Sequence, residues 1–220
     1  MISSPVIAID GPSGSGKGTI SALVAEKLGF NTLDSGALYR ILALFCQKRG
    51  LDTAQIEEIA QYALDLDVRF SKGCIYLDNE DVTDRIRGED VGAIASEIAV
   101  HPPIREALLQ LQKSFAVAPG LVADGRDMAT HVFTDAQLKI FLTASAEERA
   151  QRRHKQLISK GQGGSLRALV EDIKARDQRD IERETAPLRP AEDSILIDST
   201  GMTIEEVVTQ VVELWHRLSN

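Results

Sequence analysis

The feature that most constrains the fold is a glycine-rich segment that follows a short apolar run near the N-terminus. Residues 6–9, VIAI, are typical of a buried strand, and residues 11–19, GPSGSGKGT, come directly after Asp10. The segment nearly matches G-x-x-x-x-G-K-[ST], in which backbone N–H groups, a helix N-terminus and a lysine hold phosphate groups. A turn that only connects a strand to a helix does not need this combination of residues. The sequence therefore predicts a phosphate-binding strand–loop–helix unit.

One position departs from that motif. Gly18 stands where a Ser or Thr normally contacts magnesium, and the hydroxyl moves one place along to Thr19. This GKGT variant resembles the loops of nucleoside monophosphate kinases, where carboxylates and water hold much of the magnesium shell. A GTPase would also need a guanine-reading N-K-x-D, and the chain contains no Asn-Lys pair. We therefore predict phosphoryl transfer to a small molecule, with ATP bound by Gly11, Pro12, Ser13, Gly14, Ser15, Gly16, Lys17, Gly18 and Thr19.

Further apolar runs indicate the fold class. Residues 121–125, 138–144 and 194–199 are predicted to be buried strands, and residues 204–218 carry an apolar stripe at helical spacing. Strands that alternate with helices are typical of a parallel sheet covered on both faces. We therefore predict an α/β core with a parallel sheet flanked by helices.

Two segments interrupt this rhythm. Residues 66–84 show strand-like alternation on either side of Lys72-Gly73, which predicts a small antiparallel hairpin. Residues 159–165, SKGQGGS, predict a flexible loop between two highly charged helices. Both segments are candidates for moving parts.

Composition limits the possible partners. The 220 residues include 25 Lys and Arg against 33 Asp and Glu, a net charge of −8, so no general attraction to nucleic acid or anionic membrane is expected. Cys46, Cys74 and the four histidines show no metal-ligand spacing. The N-terminus lacks a basic leader, and no window approaches the roughly 18 apolar residues of a membrane span. We expect a cytoplasmic protein with no membrane or nucleic-acid partner.

Transfer to a phosphate acceptor brings two anions together, and positioned arginines are the usual solution. Three separate segments supply them: residues 33–40, LDSGALYR; residues 123–130, ADGRDMAT; and residues 176–190, RDQRDIERETAPLRP. The first two follow predicted strands, where parallel sheets bind ligands. In the third, the i, i+3, i+7 spacing predicts one helical face for Arg176, Arg179 and Arg183.

Structural explanations for these charges stay open when each is taken alone. The three arginines at 176–183 could form a solvated helix face, because surface charge runs usually do. Arg126 and Asp127 could be a local ion pair at a strand end, and Glu148 with Arg152 could be a surface pair. Linked to the other two segments, the arginines at 176–183 favour a shared anion site.

Four motifs in this order, IDGPSGSGKGT, DSGALYR, DGRDM and RDxRD…APL, resemble the bacterial cytidylate kinases, the CMP/dCMP kinases of the nucleoside monophosphate kinase family of P-loop proteins. The resemblance runs over essentially the whole chain. It implies a single P-loop kinase domain over 1–220, with an acceptor nucleotide-binding insertion at 36–105 and a short lid at 152–167. It also implies direct in-line transfer of the γ-phosphoryl group of Mg-ATP to CMP or dCMP. We expect the protein to be a monomer, although the sequence does not fix the oligomeric state.

The same resemblance implies roles for individual residues. The acceptor phosphate would be held by Ser35, Arg40, Arg126 and Arg183. The cytosine ring would be read by Ser96, Arg105 and Asp127. The sugar would lie near Arg176 and Asp180. The lid arginines would be Arg152 and Arg153, and the catalytic cations Lys17, Arg126, Arg153 and Arg183.

Chemistry supports the cytosine assignment. A carboxylate accepts from the exocyclic amino group and an arginine donates to the ring acceptors, whereas uracil reverses this pattern. Two further questions stay open at this stage. Asp34 and Asp124 either hold magnesium through water or cap the helices that follow them. The alternatives for the whole chain are a kinase for another monophosphate such as UMP, or a non-catalytic ATP-binding P-loop protein.

Overall fold

A computed structural model of the chain describes residues 4–71, 74–159, 161 and 163–219. Its strands are β1 Val6–Asp10, β2 Asn31–Asp34, β3 Val68–Ser71, β4 Cys74–Leu77, β5 Glu80–Asp81, β6 Leu121–Gly125, β7 Leu138–Thr143 and β8 Ile195–Asp198. Its α-helices are α1 Lys17–Leu28, α2 Ser35–Arg49, α3 Ile56–Leu64, α4 Glu89–Ile98, α5 Pro102–Ser114, α6 Ala146–Ser159, α7 Leu166–Glu182 and α8 Ile204–Ser219.

The central sheet has five parallel strands in the order β2-β6-β1-β7-β8. The four apolar runs predicted to be strands correspond to β1, β6, β7 and β8 of this sheet, which confirms the predicted α/β class. Alternate residues of β1 face opposite ways. Val6 and Ala8 pack into one hydrophobic cluster, while Ile7 and Ile9 pack into the other.

Helices cover both faces of the sheet. The first cluster joins β1, β2 and β6 to α2, α3, α4 and α5, and the second joins β1, β6 and β7 to α1 and α8. A third cluster of apolar side chains lies between α6 and α7. Because all five strands are parallel, their carboxyl ends meet at one edge, and the segments that follow β1, β2 and β6 converge there.

The inserted hairpin is a three-stranded antiparallel sheet, β3-β4-β5, so the prediction of a simple hairpin was incomplete. The predicted turn at Lys72-Gly73 lies outside the described residues. A second turn connects β4 to β5, where Asp78 and Asn79 take positive φ values of 49° and 66°. Two successive positive φ angles are the backbone of a tight hairpin turn, and Asn and Asp tolerate them better than most residues.

The prediction that Arg176, Arg179 and Arg183 share one helical face was wrong at Arg183. Helix α7 ends at Glu182, and Arg183 follows it with extended backbone angles of −60° and 138°. The N–H of Leu188 donates to the carbonyl of Asp180 at 2.8 Å, taking the acceptor that a continuing helix would have used. Arg183 therefore turns inward and is 7% exposed.

Cys46 and Cys74 are both free thiols. Within the described parts of the chain, no helix combines the length and the apolar character that crossing a bilayer demands.

Candidate active site

The donor loop, residues 11–19, connects the end of β1 to the start of α1. Gly14 and Gly16 take positive φ values of 76° and 94°, which favour glycine. Lys17 is 5% exposed, and its Nζ donates to the Pro12 carbonyl at 2.9 Å and to Ser15 Oγ at 3.4 Å. The loop therefore curls around its own lysine at the edge where ligands bind in parallel sheets.

Burial changes the protonation of three groups beside this loop. Desolvation first, and then the charge of Arg126, lower the pKa of Lys17 to about 7. Desolvation and the nearby Asp34 raise the pKa of Asp124 to about 7. Burial likewise raises the pKa of Asp10 to about 6, although its carboxylate accepts from the N–H groups of Met128 and Ala129, each at 2.8 Å. These three side chains at the edge of the sheet therefore have pKa values close to neutral pH.

Gly18, which replaces the usual Ser or Thr of the phosphate-binding motif, lies next to the carboxylate of Asp124. A Cβ placed on Gly18 would lie 3.3 Å from Oδ2 of Asp124, so the glycine leaves room in front of that carboxylate. Asp34 instead caps α2, accepting from the Ala37 N–H at 3.0 Å. No group of three or more His, Cys, Asp or Glu side chains within the described ranges is arranged to hold a metal alone. Asp124 suits a hard cation whose remaining ligands are phosphate oxygens and water.

Arginines from separate segments line the same cleft as the donor loop, a cavity of about 920 Å³. They are Arg40 on α2, Arg87 just before α4, Arg126 after β6, Arg152 and Arg153 on α6, and Arg176 on α7. The Nη1 of Arg40 donates to the carbonyls of Ile86 at 2.9 Å and Gly88 at 3.2 Å. The Nε of Arg126 donates to Asp180 at 2.9 Å. This collection of cations gives an otherwise acidic protein a local site for anions.

Three further predicted residues form a buried network outside the cleft wall. Arg105 and Asp127 make an ion pair, and both are nearly inaccessible to solvent. Arg183 Nη2 lies 3.5 Å from Asp127 Oδ1, and its Nε donates to the Ala186 carbonyl at 2.6 Å. Asp127 therefore joins two arginines rather than pairing with the adjacent Arg126. Among the described residues, the Nε of Arg105 and the hydroxyl of Ser96 are buried and have no hydrogen-bond partner. Buried polar atoms are nearly always bonded, so both atoms are candidates for contact with a ligand.

Ser35 does not line the cleft in this structure. Its hydroxyl donates to Gln112 Oε1 at 2.8 Å, and both side chains are buried. Asp180, by contrast, lies beside the cleft wall through its bond to Arg126 and is 4.0 Å from Arg183.

The lid-side arginines have contacts that go beyond a surface pair. Arg152 does pair with Glu148, but it also donates to the Ser199 carbonyl at 2.7 Å and to the Ser15 carbonyl at 3.4 Å. Arg153 forms an ion pair with Glu89 of α4, and Arg176 donates to the second oxygen of Glu89 at 2.9 Å. One carboxylate thus connects α4 to both α6 and α7.

Sequence reasoning missed several residues around this site, namely Asp10, Glu89, Gln112, Arg149 and Asp177. Asp10 had a local signal, because it directly precedes the glycine loop. Arg149 had another, because it lies three and four residues before the two lid arginines on the same helix. The remaining three act through contacts more than 27 residues away in sequence, which no local pattern reports.

The chain is similar in sequence to cytidylate kinases over almost its whole length. The family model described as cytidylate kinase matches residues 7–217. The cytidylate kinase of Stutzerimonas stutzeri (strain A1501) is 56% identical over 214 residues, covering 94% of this chain and 93% of the relative. That of Cupriavidus necator is 54% identical over 208 residues, covering 94% of each chain. A solved structure of a gluconokinase from Sinorhizobium meliloti 1021 superimposes with a TM-score of 0.49 at 14% identity, covering 99% of this chain and 94% of that one.

Proposed function

Because the chain belongs to the cytidylate kinase family, we propose that it transfers the γ-phosphoryl group of ATP to CMP or dCMP, giving ADP with CDP or dCDP. The observation that carries the proposal is the single cleft in which the donor loop faces arginines from α2, α6, α7 and the segment after β6. A non-catalytic ATP-binding protein has no use for these acceptor-side cations. The cleft instead suits two anionic substrates brought end to end.

On the donor side, residues 11–19 would hold the triphosphate through backbone N–H groups and the N-terminus of α1. Lys17 would leave the Pro12 carbonyl and bind the β- and γ-phosphates as a full charge. Arg152 and Arg153 would approach the same phosphates from the lid. Magnesium supplies charge neutralisation between the phosphates when bound, and Asp124 is the residue that fits it, through water.

On the acceptor side, Arg40 and Arg126 would hold the monophosphate, and Arg176 and Asp180 would lie near the sugar. Their role is positioning together with stabilisation of the negative charge on the transferred group, so no covalent enzyme intermediate is needed. Arg183 would act from behind this wall, because it reaches Asp180 and Asp127 from a buried position. Ser35 would have to exchange its bond with Gln112 for one with substrate.

The base would be read by Asp127, Arg105 and Ser96. Two of these residues carry buried donors without partners, Arg105 Nε and Ser96 Oγ, and a pyrimidine ring offers acceptors for both. Asp127 would accept from the exocyclic amino group of cytosine. Uracil presents a carbonyl at that position, so UMP is the disfavoured substrate.

The proposal also includes the division of the chain. Residues 36–105 would form the acceptor insertion and residues 152–167 the lid, both moving against a single P-loop core. Lys160 and Gln162 of the lid lie outside the described residues. A monomer in the cytoplasm stays a prediction from the sequence.

The test is a steady-state comparison of CMP, dCMP, UMP, AMP and GMP as acceptors with Mg-ATP. We expect kcat/KM for CMP or dCMP to exceed that for each of the others by about 10²-fold or more, because the wrong base leaves buried polar groups unpaired. Lys17→Met, prepared in the same way, reports any contaminating kinase. Comparable turnover of AMP or GMP by the parent would overturn the cytosine assignment.

A further inference from the structure

The tip of the donor loop is held from outside by two residues that the mechanism above does not use. Arg149 of α6 donates from Nη1 to the carbonyl of Ser13 at 2.7 Å. Asp177 of α7 accepts from the N–H of Ser13 through Oδ1 at 3.3 Å. The two side chains complete the arrangement with a bond of 2.6 Å between Arg149 Nη2 and Asp177 Oδ2. Both backbone polar groups of Ser13 are therefore bound by one ion pair.

All three guanidinium nitrogens of Arg149 donate hydrogen bonds. Its Nε donates to the carbonyl of Ala144, just after β7, at 2.9 Å, while Nη1 and Nη2 reach Ser13 and Asp177. Arg149 is only 5% exposed, so these bonds are protected from water. A lysine would keep the charge but could not make three bonds in this planar fork.

We infer that Arg149 and Asp177 are positioning residues for the donor triphosphate, an inference that rests on the proposed function. By fixing Ser13 they also fix Pro12, whose carbonyl holds Lys17. The position of Lys17 therefore depends on where α6 and α7 hold Arg149 and Asp177. These two helices flank the predicted lid. Within the described residues no hydrogen bond joins this pair to an acceptor-side arginine, although the charge of Asp177 helps to raise the pKa of Arg126.

The experiment measures Arg149→Lys, which keeps the charge but loses the planar fork, and Asp177→Asn, which is nearly isosteric and removes the charge. We expect both variants to raise the KM for ATP and the Kd for ADP about tenfold, the loss expected from one buried charged hydrogen bond. The KM for CMP should change much less, and within about twofold for Arg149→Lys, because that variant keeps the charge and neither variant removes a hydrogen bond of an acceptor-side arginine. Calorimetric titration with ADP gives the Kd directly, without turnover.

Glu147→Gln is the matched control. Glu147 pairs with Lys174 at 3.1 Å and joins the same two helices, but both side chains are exposed and neither contacts the donor loop. Its KM for ATP should equal that of the parent. A similar rise in this control, or equal changes in the KM values for ATP and CMP, would overturn the inference by showing general loosening of α6 and α7.

The two proposals fail differently. A parent protein that binds ADP but does not phosphorylate CMP contradicts the proposed function, while the ADP affinities of the variants still test the Arg149–Asp177 pair. Unchanged ADP affinity in a folded Asp177→Asn variant contradicts the positioning role, whatever the activity. Should Arg149→Lys fail to fold, judged by circular dichroism, Asp177→Asn alone decides, because it keeps an acceptor for the Ser13 N–H.

Discussion

At the scale of single residues, the environment of Lys17 ties nucleotide binding to protonation. Burial disfavours the ammonium, so in the ligand-free protein the amine is largely neutral above its lowered pKa of about 7. An unfolded lysine keeps a pKa near 10.5, so the unfolded chain binds more protons between these values. This residue therefore makes the ligand-free fold more stable as the pH rises from 7 to 10.5.

A bound phosphate has the opposite effect, because its charge favours the ammonium form. We predict that ADP binding without magnesium at about pH 8.5 takes up close to one proton, and that affinity falls as the pH rises above neutrality. Calorimetry in buffers of different ionisation enthalpy measures the uptake. At that pH the carboxyl of Asp124, whose pKa is about 7, is ionised in the ligand-free protein, so a proton that it takes up when the phosphates approach must be separated from that of Lys17 by variants.

Two variants check this proton uptake. Lys17→Met should bind ADP without taking up a proton. Lys27→Met, which removes an exposed lysine at the end of the same helix, should behave as the parent does. Equal uptake by Lys17→Met and the parent would assign the proton to another group.

At the scale of elements, sequence patterns were reliable where burial alone decides structure. β1 and β6 are buried along their whole length, and such strands form continuous apolar runs that are visible in the sequence. β5 was missed because it is two exposed acidic residues with no alternation. The end of α7 was missed because it depends on the bond from the Leu188 N–H to the Asp180 carbonyl, which forms only once the chain has turned back.

The candidate site followed the same division. Motifs at strand ends predicted the donor loop, Arg40 and Arg126, because parallel topology brings strand ends together. The partners of those residues were not predictable. Ser13 is 136 residues from Arg149, and Arg176 is 87 residues from Glu89. Such pairs depend on how α6 and α7 pack on the core, and a local pattern carries no information on packing.

The junction of β1 with the donor loop gives a prediction at this scale. Gly11 has a φ of 150°, and a Cβ at this position would overlap the carbonyl oxygen of Leu142 on β7. Since that carbonyl belongs to the sheet, it cannot move aside. We predict that Gly11→Ala lowers the free energy of unfolding by about 3 kcal/mol, measured by urea denaturation. Gly163→Ala, where a Cβ meets nothing within 4 Å, should change it by less than about 0.5 kcal/mol; equal stability of the two variants would contradict this account.

At the scale of the whole molecule, Glu89 connects the parts that the proposal treats as mobile. It is the first residue of α4, in the segment that we propose as the acceptor insertion, and its carboxylate binds Arg153 of α6 and Arg176 of α7. Although partial burial opposes ionisation, these arginines hold the pKa of Glu89 below its usual value. The pKa of Arg40 is lowered mainly by its burial and, second, by the nearby positive charge of Arg176. Glu89, together with Asp34 beside Arg40, therefore balances the charge of this group of cations while substrates are absent.

Removing the charge of Glu89 should make the arginines of the cleft bind anions from solution more tightly. We predict that Glu89→Gln has a lower Tm than the parent without ligand, because three arginines then repel one another across one cleft. It should also bind inorganic phosphate about fivefold more tightly, since two partly exposed ion pairs together contribute on the order of 1 kcal/mol. Thermal unfolding across a series of phosphate concentrations at constant ionic strength measures both effects through linkage.

The control is Glu171→Gln, which breaks the exposed pair with Arg167 on α7 and should leave the response to phosphate unchanged. If Glu89→Gln responds to phosphate as this control does, Glu89 does not compete with substrate anions for Arg153 and Arg176.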